Sequence, residues 1–169
     1  DRDAQGRPVP LESFYATFAE GDRRFSSHAD VHLAEVGQRL VRLGRVVNLD
    51  VRAAQREVYR RQLFALCTGN GDLHLENLSF LGGGQQARVS PVYDPAPMRA
   101  WPRHDLRLAV PLDLDESRSF AANVLEAGLA FGLGRQAVRQ LAEEVLEQTA
   151  GFVAAIEGLP VPEVRIERL

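Results

Sequence analysis

Residues 69–81, Gly-Asn-Gly-Asp-Leu-His-Leu-Glu-Asn-Leu-Ser-Phe-Leu, place the tightest limits on how this chain can fold. The glycines at the start disfavour a helix, and the apolar residues at the end are too hydrophobic for a solvent-exposed tail. Side chains that can bind phosphate or metal ions, or transfer protons, therefore lie next to a predicted strand. Residues 90–94, Ser-Pro-Val-Tyr-Asp, follow after a glycine-rich turn and add another carboxylate.

The spacing of apolar residues predicts helices before this stretch over residues 11–20, 27–43 and 51–66. Ser27 and Asp30 have the spacing of a capping box for the second helix, and Gly44 stops that helix. Asp50 can cap the third helix, which leads directly into residues 69–81. The arginines of the third helix are predicted to form mainly a solvated face: Arg52, Arg56, Arg60 and Arg61.

Beyond the stretch, the sequence predicts one hairpin and further helices. The strands cover residues 77–81 and 87–92, and the helices cover residues 116–131 and a longer segment that ends at Glu157. The glycines between the strands are turn residues rather than a phosphate loop, because neither a lysine nor a helix follows them. Prolines make residues 95–105 irregular, with Trp101 as an anchoring aromatic, and Phe120 is placed on a buried helix face.

These elements predict a mainly α fold with a small β-hairpin, as a single domain over residues 1–169. A composition of 45% hydrophobic and 25% charged residues supports one real core. The formal net charge of −3, without a basic block, gives no reason to expect direct nucleic-acid binding. Because the single cysteine, Cys67, has no intramolecular partner and no signal peptide or long apolar run is visible, we expect a cytoplasmic protein without membrane attachment.

Asp72, Asn77 and Asp94 form a pattern suited to phosphoryl transfer. That reaction needs a carboxylate to orient the attacking hydroxyl and accept its proton, and oxygen ligands that hold Mg²⁺ across the nucleotide phosphates. Asp72 and Asn77 supply both functions from one loop, and Asp94 follows the predicted hairpin. Hard oxygen ligands suit Mg²⁺ better than zinc.

Two other functions remain open on the residues alone. Asp72, His74 and Asp94 could form a carboxylate–histidine metal site of a hydrolase, because Asp-x-His in an extended segment puts both side chains on one side. Asn77 would be unnecessary in such a site. The chain could also be a non-catalytic module that binds a partner protein.

The full strings are more specific than the single residues. Asn-Gly-Asp-Leu-His-Leu-Glu-Asn-Leu-Ser-Phe over residues 70–80, followed by Ser-Pro-Val-Tyr-Asp-Pro over residues 90–95, closely resembles the HipA family of serine/threonine kinases, the toxins of bacterial toxin–antitoxin modules. Residues 6–14 also look like the segment before the family's helical lobe. The chain departs from the pattern at Glu76, where family members often carry lysine, and at Pro95, where classical protein kinases have phenylalanine.

The resemblance implies the helical C-terminal lobe of a protein-kinase-like fold, with a small β-hairpin carrying the catalytic and metal-binding loops. Asp72 would be the catalytic base and His74 a catalytic-loop residue near the phosphates, while Asn77 and Asp94 would bind the Mg²⁺ of ATP. The implied partners are a protein substrate, which is an aminoacyl-tRNA synthetase for some members, and a helix-turn-helix antitoxin.

The basic residues of the chain indicate that a nucleotide-binding lysine would have to come from outside it. The chain has 20 lysine and arginine residues in total, and every one of them is an arginine. Kinases ordinarily use a lysine against the nucleotide phosphates. We therefore expect the N-lobe, with its phosphate lysine and glycine-rich loop, to lie outside this chain, and we expect the chain alone to bind ATP weakly and transfer phosphate poorly.

Overall fold

A computed structural model describes residues 2–19, 31–83, 86–103 and 108–169. In chain order the elements are β1 (Leu11–Ser13), α1 (Phe14–Ala19), α2 (Leu33–Leu43), α3 (Val51–Thr68), β2 (Ser79–Leu81), β3 (Arg88–Val89), a 3-10 turn (Met98–Ala100), α4 (Phe120–Ala130), α5 (Arg135–Thr149), α6 (Phe152–Glu157) and α7 (Glu163–Ile166). The predicted combination of several helices with a small amount of sheet is confirmed. No helix in these described ranges has the length and apolar character needed to cross a membrane.

The sheet has three antiparallel strands in the order β1-β2-β3. The predicted hairpin is present as β2 and β3, which are shorter than expected, with Phe80 opposite Val89. The prediction of helix from Leu11 was wrong, because residues 11–13 pair with β2 and Leu11 lies opposite Leu81. The helix begins only at Phe14, where the Ser13 hydroxyl accepts a hydrogen bond from the Ala16 N–H at 3.0 Å.

Aromatic packing joins α1 to the sheet. The Phe14 ring stacks on Phe80 with centroids 4.2 Å apart, and Phe18 lies 5.1 Å from Phe14. Helix α3 contacts strand β3 of this sheet and, elsewhere along its surface, helix α5. Tyr59 of α3 packs beside Phe131, and its hydroxyl donates to the Val124 carbonyl in α4 at 2.5 Å. Helix α3 is therefore packed between the sheet and the α4–α5 pair.

Local capping chemistry fixes both ends of α3. The Asp50 carboxylate accepts a hydrogen bond from the Ala53 N–H at 2.9 Å, which confirms the predicted cap. At the other end, the helix continues two residues beyond the predicted Leu66, to Thr68. Gly44 follows the last residue of α2, as predicted, whereas the predicted capping box at Ser27 and Asp30 lies outside the described residues.

The solvated arginine face was predicted correctly only in part. Arg52 is exposed, but the Arg61 side chain is only 5% exposed. Its Nε donates to the Glu57 carboxylate at 2.8 Å, and its Nη2 donates to the Ser90 carbonyl beside β3. A buried guanidinium needs hydrogen-bond acceptors. Arg61 has one in α3 and one beside β3, and it therefore connects α3 to the hairpin.

The helices after the hairpin differ from their predictions at both ends. α4 begins at Phe120 rather than Glu116, because the Ser119 hydroxyl caps it by accepting from the Ala122 N–H at 3.2 Å. This start leaves Phe120 59% exposed, so its predicted burial was wrong. The long helix to Glu157 is interrupted at residues 150–151, where Gly151 has low helix propensity.

Candidate active site

The end of α3 directs the chain into the candidate site. Gly69 adopts a left-handed conformation (φ 69°), and its N–H caps the helix by donating to the Ala65 carbonyl. A Cβ at this position would lie 2.7 Å from Leu169 Cδ2 and 3.0 Å from Arg99 Cβ. Glycine is therefore required here by both conformation and space.

Asp72 and Asn77 are brought together in one compact loop. The Asn77 side-chain amide donates to the Asp72 carbonyl at 2.8 Å and lies 3.4 Å from the Asp72 carboxylate. The loop also closes on itself through backbone bonds from His74 N–H to the Asp72 carbonyl and from Asn77 N–H to the His74 carbonyl. The Asn77 side chain is largely buried, whereas the Asp72 side chain is one-third exposed and open to a reactant.

His74 lies beside both residues. Its Nε2 is 3.6 Å from the Asp72 carboxylate and 3.5 Å from the Asn77 amide nitrogen. Its Nδ1 accepts a hydrogen bond from the Glu76 N–H at 3.2 Å. For a neutral imidazole this bond places the proton on Nε2, so the approach of the Asn77 amide nitrogen to Nε2 is a contact and not a hydrogen bond, and 3.6 Å is too long for a direct hydrogen bond to the carboxylate. The structure thus clusters Asp72, His74 and Asn77.

Asp94 stands out by its backbone. Its φ of 49° makes it the one non-glycine residue with positive φ in the described part of the chain. The conformation is unusual for a residue that precedes proline, since Pro95 favours an extended predecessor. The Asp94 carboxylate is exposed and has no hydrogen bond or ion pair with another described residue. Strained residues with unengaged polar groups tend to cluster at functional sites.

Two contacts on either side of Asp94 hold its segment against the Asp72 loop. The Tyr93 hydroxyl donates to the Glu76 carbonyl at 2.5 Å and meets the Ser79 hydroxyl at 2.6 Å. After Asp94, the Ala96 N–H donates at 3.4 Å to Asn70 Oδ1, which also accepts from the Asp72 N–H at 3.0 Å. We name these contacts the Tyr93 tether and the Asn70 tether.

Neither tether was predicted. Ser79 lies in the predicted strand over residues 77–81, but no contact of Tyr93 or Asn70 was expected. The Asn-Gly-Asp sequence offered one signal, because an asparagine that bonds the backbone two residues later is a common turn device. The Tyr93 contact depends on chain distant in sequence and had no local signal.

The residues fit a hard divalent cation through oxygen. Each contact of the Asn77 amide uses Nδ2, which leaves Oδ1 without a partner among the described residues, and both Asp94 oxygens are also available. Mg²⁺ takes such oxygen ligands. Across the described ranges, no group of three or more His, Cys, Asp or Glu side chains is arranged to hold a metal ion. The alternative site of Asp72, His74 and Asp94 would be such a group, so the arrangement does not favour it.

Comparisons with known proteins give the same family as the sequence strings. The sequence-family model of the HipA-like C-terminal domain matches residues 1–153. A curated protein of Haemophilus influenzae named "Putative kinase" is 29% identical over 115 residues, which are 66% of this chain and 34% of that protein.

Among solved structures, the fold is similar to a chain of the Shewanella oneidensis MR-1 toxin–antitoxin complex of HipA, HipB and operator DNA. The TM-score is 0.61 at 22% identity, over 81% of this chain and 32% of that one. The chain therefore spans about a third of the length of each of these two proteins.

Proposed function

The chain belongs to the family of HipA-like C-terminal domains, and from this premise we propose that it is the catalytic C-terminal lobe of a serine/threonine protein kinase. In this proposal the lobe helps to transfer the γ-phosphate of ATP to a protein hydroxyl. The observation that carries the proposal is the cluster of Asp72 and Asn77 in one loop, with the strained Asp94 tethered beside it.

Asp72 is the proposed base. Its carboxylate is partly exposed, so a substrate hydroxyl can approach it, and it would orient that hydroxyl and accept its proton at a carboxylate oxygen. Asn77 keeps the loop closed through its bond to the Asp72 carbonyl. The role proposed for His74 is to support the loop and to lie close to the phosphates.

Asn77 Oδ1 and the Asp94 carboxylate are the proposed Mg²⁺ ligands. When bound, Mg²⁺ would neutralise charge on the nucleotide phosphates. The αL conformation of Asp94 turns the chain sharply at this point, and the two tethers keep that turn against the catalytic loop. A carboxylate fixed in this way loses less conformational entropy when it engages a cation.

The rest of the kinase is proposed to lie elsewhere in the polypeptide. This chain has arginine at all 20 of its lysine-or-arginine positions, and it spans about a third of the relatives it matches. A nucleotide lysine would therefore come from an N-lobe. We propose a cytoplasmic protein substrate, with an aminoacyl-tRNA synthetase as the first to test. Because the Shewanella complex contains HipB, we also propose a helix-turn-helix antitoxin as a partner.

A phosphoryl-transfer assay tests the proposal. The full-length polypeptide that carries this chain would be incubated with γ-labelled ATP, with and without Mg²⁺, and incorporation of label into protein serine and threonine would be measured. We expect Mg²⁺-dependent labelling, and a loss of at least a hundredfold for Asp94→Asn. Asp113→Asn, an exposed aspartate that pairs only with His32 among the described residues, is the matched control.

The alternatives give different results in the same assay. A non-catalytic module would show no labelling in any variant while its fold, followed by circular dichroism, stays intact. A metal-dependent hydrolase would release phosphate to water rather than to protein. Robust autophosphorylation by residues 1–169 alone would contradict the proposed need for an N-lobe.

A further inference from the structure

A cavity of about 590 Å³ lies between α3, the segment after Asp94 and the C-terminal helices. Its volume falls in the range of small-molecule sites in proteins, about 300–1,000 Å³. Most of its lining is apolar, and the larger apolar side chains include Phe64, Trp101, Phe152, Ile156 and Leu159. None of the proposed catalytic or magnesium residues lines it, but Asn70, Pro95 and Ala96 do, so the cavity adjoins the segment that holds Asp94 without including the phosphoryl-transfer residues.

The charged side chains of the lining are all positive. Arg60 and Arg61 both line the cavity, and no aspartate or glutamate is found among the described residues that line it. Their ion-pair partner is Glu57, whose carboxylate lies 2.8 Å from each guanidinium. One carboxylate between two guanidinium groups leaves this wall with a net positive charge, and the apolar surroundings strengthen its attraction for an anion.

Two donors on the lining are available to a ligand. Arg60 binds Glu57 through Nε and Nη2, which leaves Nη1 without a partner among the described residues. Asn70 uses Oδ1 for the Asn70 tether, which leaves its Nδ2 equally unengaged within the described part of the chain. Arg61 Nη1 is buried without a described partner, and it adds positive charge behind the same wall.

We propose that this cavity binds a small amphipathic anion, a monocarboxylate with an extended apolar body. The carboxylate would pair with the Arg60 guanidinium, and the apolar body would lie against Phe64, Trp101 and Ile156. Asn70 offers a second donor. The apolar walls favour such a ligand over a compact polar anion such as inorganic phosphate, which would leave most of the cavity unfilled and the walls hydrated.

Trp101 is the single tryptophan of the chain and lines the cavity, so its fluorescence reports directly on occupancy. The probe is 11-bromoundecanoate, whose bromine quenches tryptophan on contact, and the neutral comparison is 11-bromoundecanol. Both are titrated into residues 1–169 below their aggregation limits, without nucleotide or metal, so that the result is independent of the proposed kinase activity. We expect saturable quenching, with an apparent Kd at least tenfold lower for the acid.

Two pairs of variants identify the site. Arg60→Gln should abolish the preference for the acid, while Arg56→Gln on the same helix, away from the cavity lining, should keep it. Leu159→Glu places a carboxylate at a half-exposed position of the lining and should weaken acid binding at least tenfold. Val164→Glu, exposed and outside the lining, should bind as the unmodified chain does.

Four outcomes would overturn the proposal. They are an absence of saturable quenching by the acid, equal affinity for acid and alcohol, unchanged acid binding in Leu159→Glu, and a preference for the acid that Arg60→Gln retains. Because Leu159 and Val164 are both exposed, both glutamate variants should fold, and far-ultraviolet circular dichroism checks this. If Leu159→Glu does not fold, the comparison of Arg60→Gln with Arg56→Gln decides the outcome by itself.

Discussion

Replacing Tyr93 with phenylalanine would remove one hydroxyl and keep the ring. That hydroxyl forms the Tyr93 tether, with contacts of 2.5 Å to the Glu76 carbonyl and 2.6 Å to the Ser79 hydroxyl. A hydrogen bond contributes a net of about 0.5–1.5 kcal/mol, so two contacts are worth about 1–3 kcal/mol. The cost should lie toward the upper end, because Ser79 is only 2% exposed and water cannot easily replace the lost partner.

Urea denaturation of residues 1–169 measures this cost. We expect the free energy of unfolding of Tyr93→Phe to fall by about 1–3 kcal/mol with an unchanged m value. The neighbouring exposed Val92→Ala should change it by less than about 0.5 kcal/mol.

The same variant should affect phosphoryl transfer beyond its effect on stability. Without the Tyr93 tether, the strained Asp94 has one fewer contact to keep it in the αL conformation. We expect kcat of the full-length polypeptide to fall about tenfold or more at a temperature where both proteins are folded, which corresponds to about 1.4 kcal/mol. Unfolding free energy within 0.5 kcal/mol of the unmodified chain, together with unchanged transfer, would refute the positioning role of Tyr93.

Two further predictions concern stability. Burial raises the pKa of Tyr59 to about 12, against about 10 in the unfolded chain. The contribution of the neutral Tyr59 side chain to the free energy of unfolding is therefore complete below about pH 10 and is lost as pH rises from about 10 through about 12. The loss is about 3 kcal/mol, and urea denaturation across this range should show a shallower decline for Tyr59→Phe; equal declines would contradict it. Gly69→Ala should cost about 1–2 kcal/mol or more, because the added Cβ meets Leu169 and Arg99 in an αL backbone. Gly151→Ala, with open space around the added Cβ, should be neutral or stabilising, and equal losses for both in thermal melts would argue against the steric reason.

Sequence reasoning was most successful where the determining chemistry is local. Asp50 lies next to the start of α3 and caps it through a backbone group within one turn. The proximity of Asp72 and Asn77 was predictable for the same reason, since a short loop joins them. Their catalytic roles, and that of His74, remain predictions.

The errors occur where distant parts of the chain determine the local structure. Leu11 had helical spacing with Phe14, but pairing with β2 makes residues 11–13 a strand. Arg61 looked solvated because the Ser90 carbonyl that it reaches is far away in sequence. The αL conformation of Asp94 was also unpredictable, because a following proline favours extended backbone and tertiary tethers determine the outcome.

Single-turnover transfer by Asp72→Asn tests the central claim most directly. The full-length variant would be compared with the unmodified protein for phosphoryl transfer to protein and, in parallel, for affinity for Mg²⁺-ATP. If Asp72 is the base and Asn77 and Asp94 hold the metal, transfer should fall by about 10²–10⁴ while the nucleotide Kd changes by less than about tenfold. A transfer rate within about threefold of the unmodified protein, with binding intact, would contradict the assignment of Asp72 as the base.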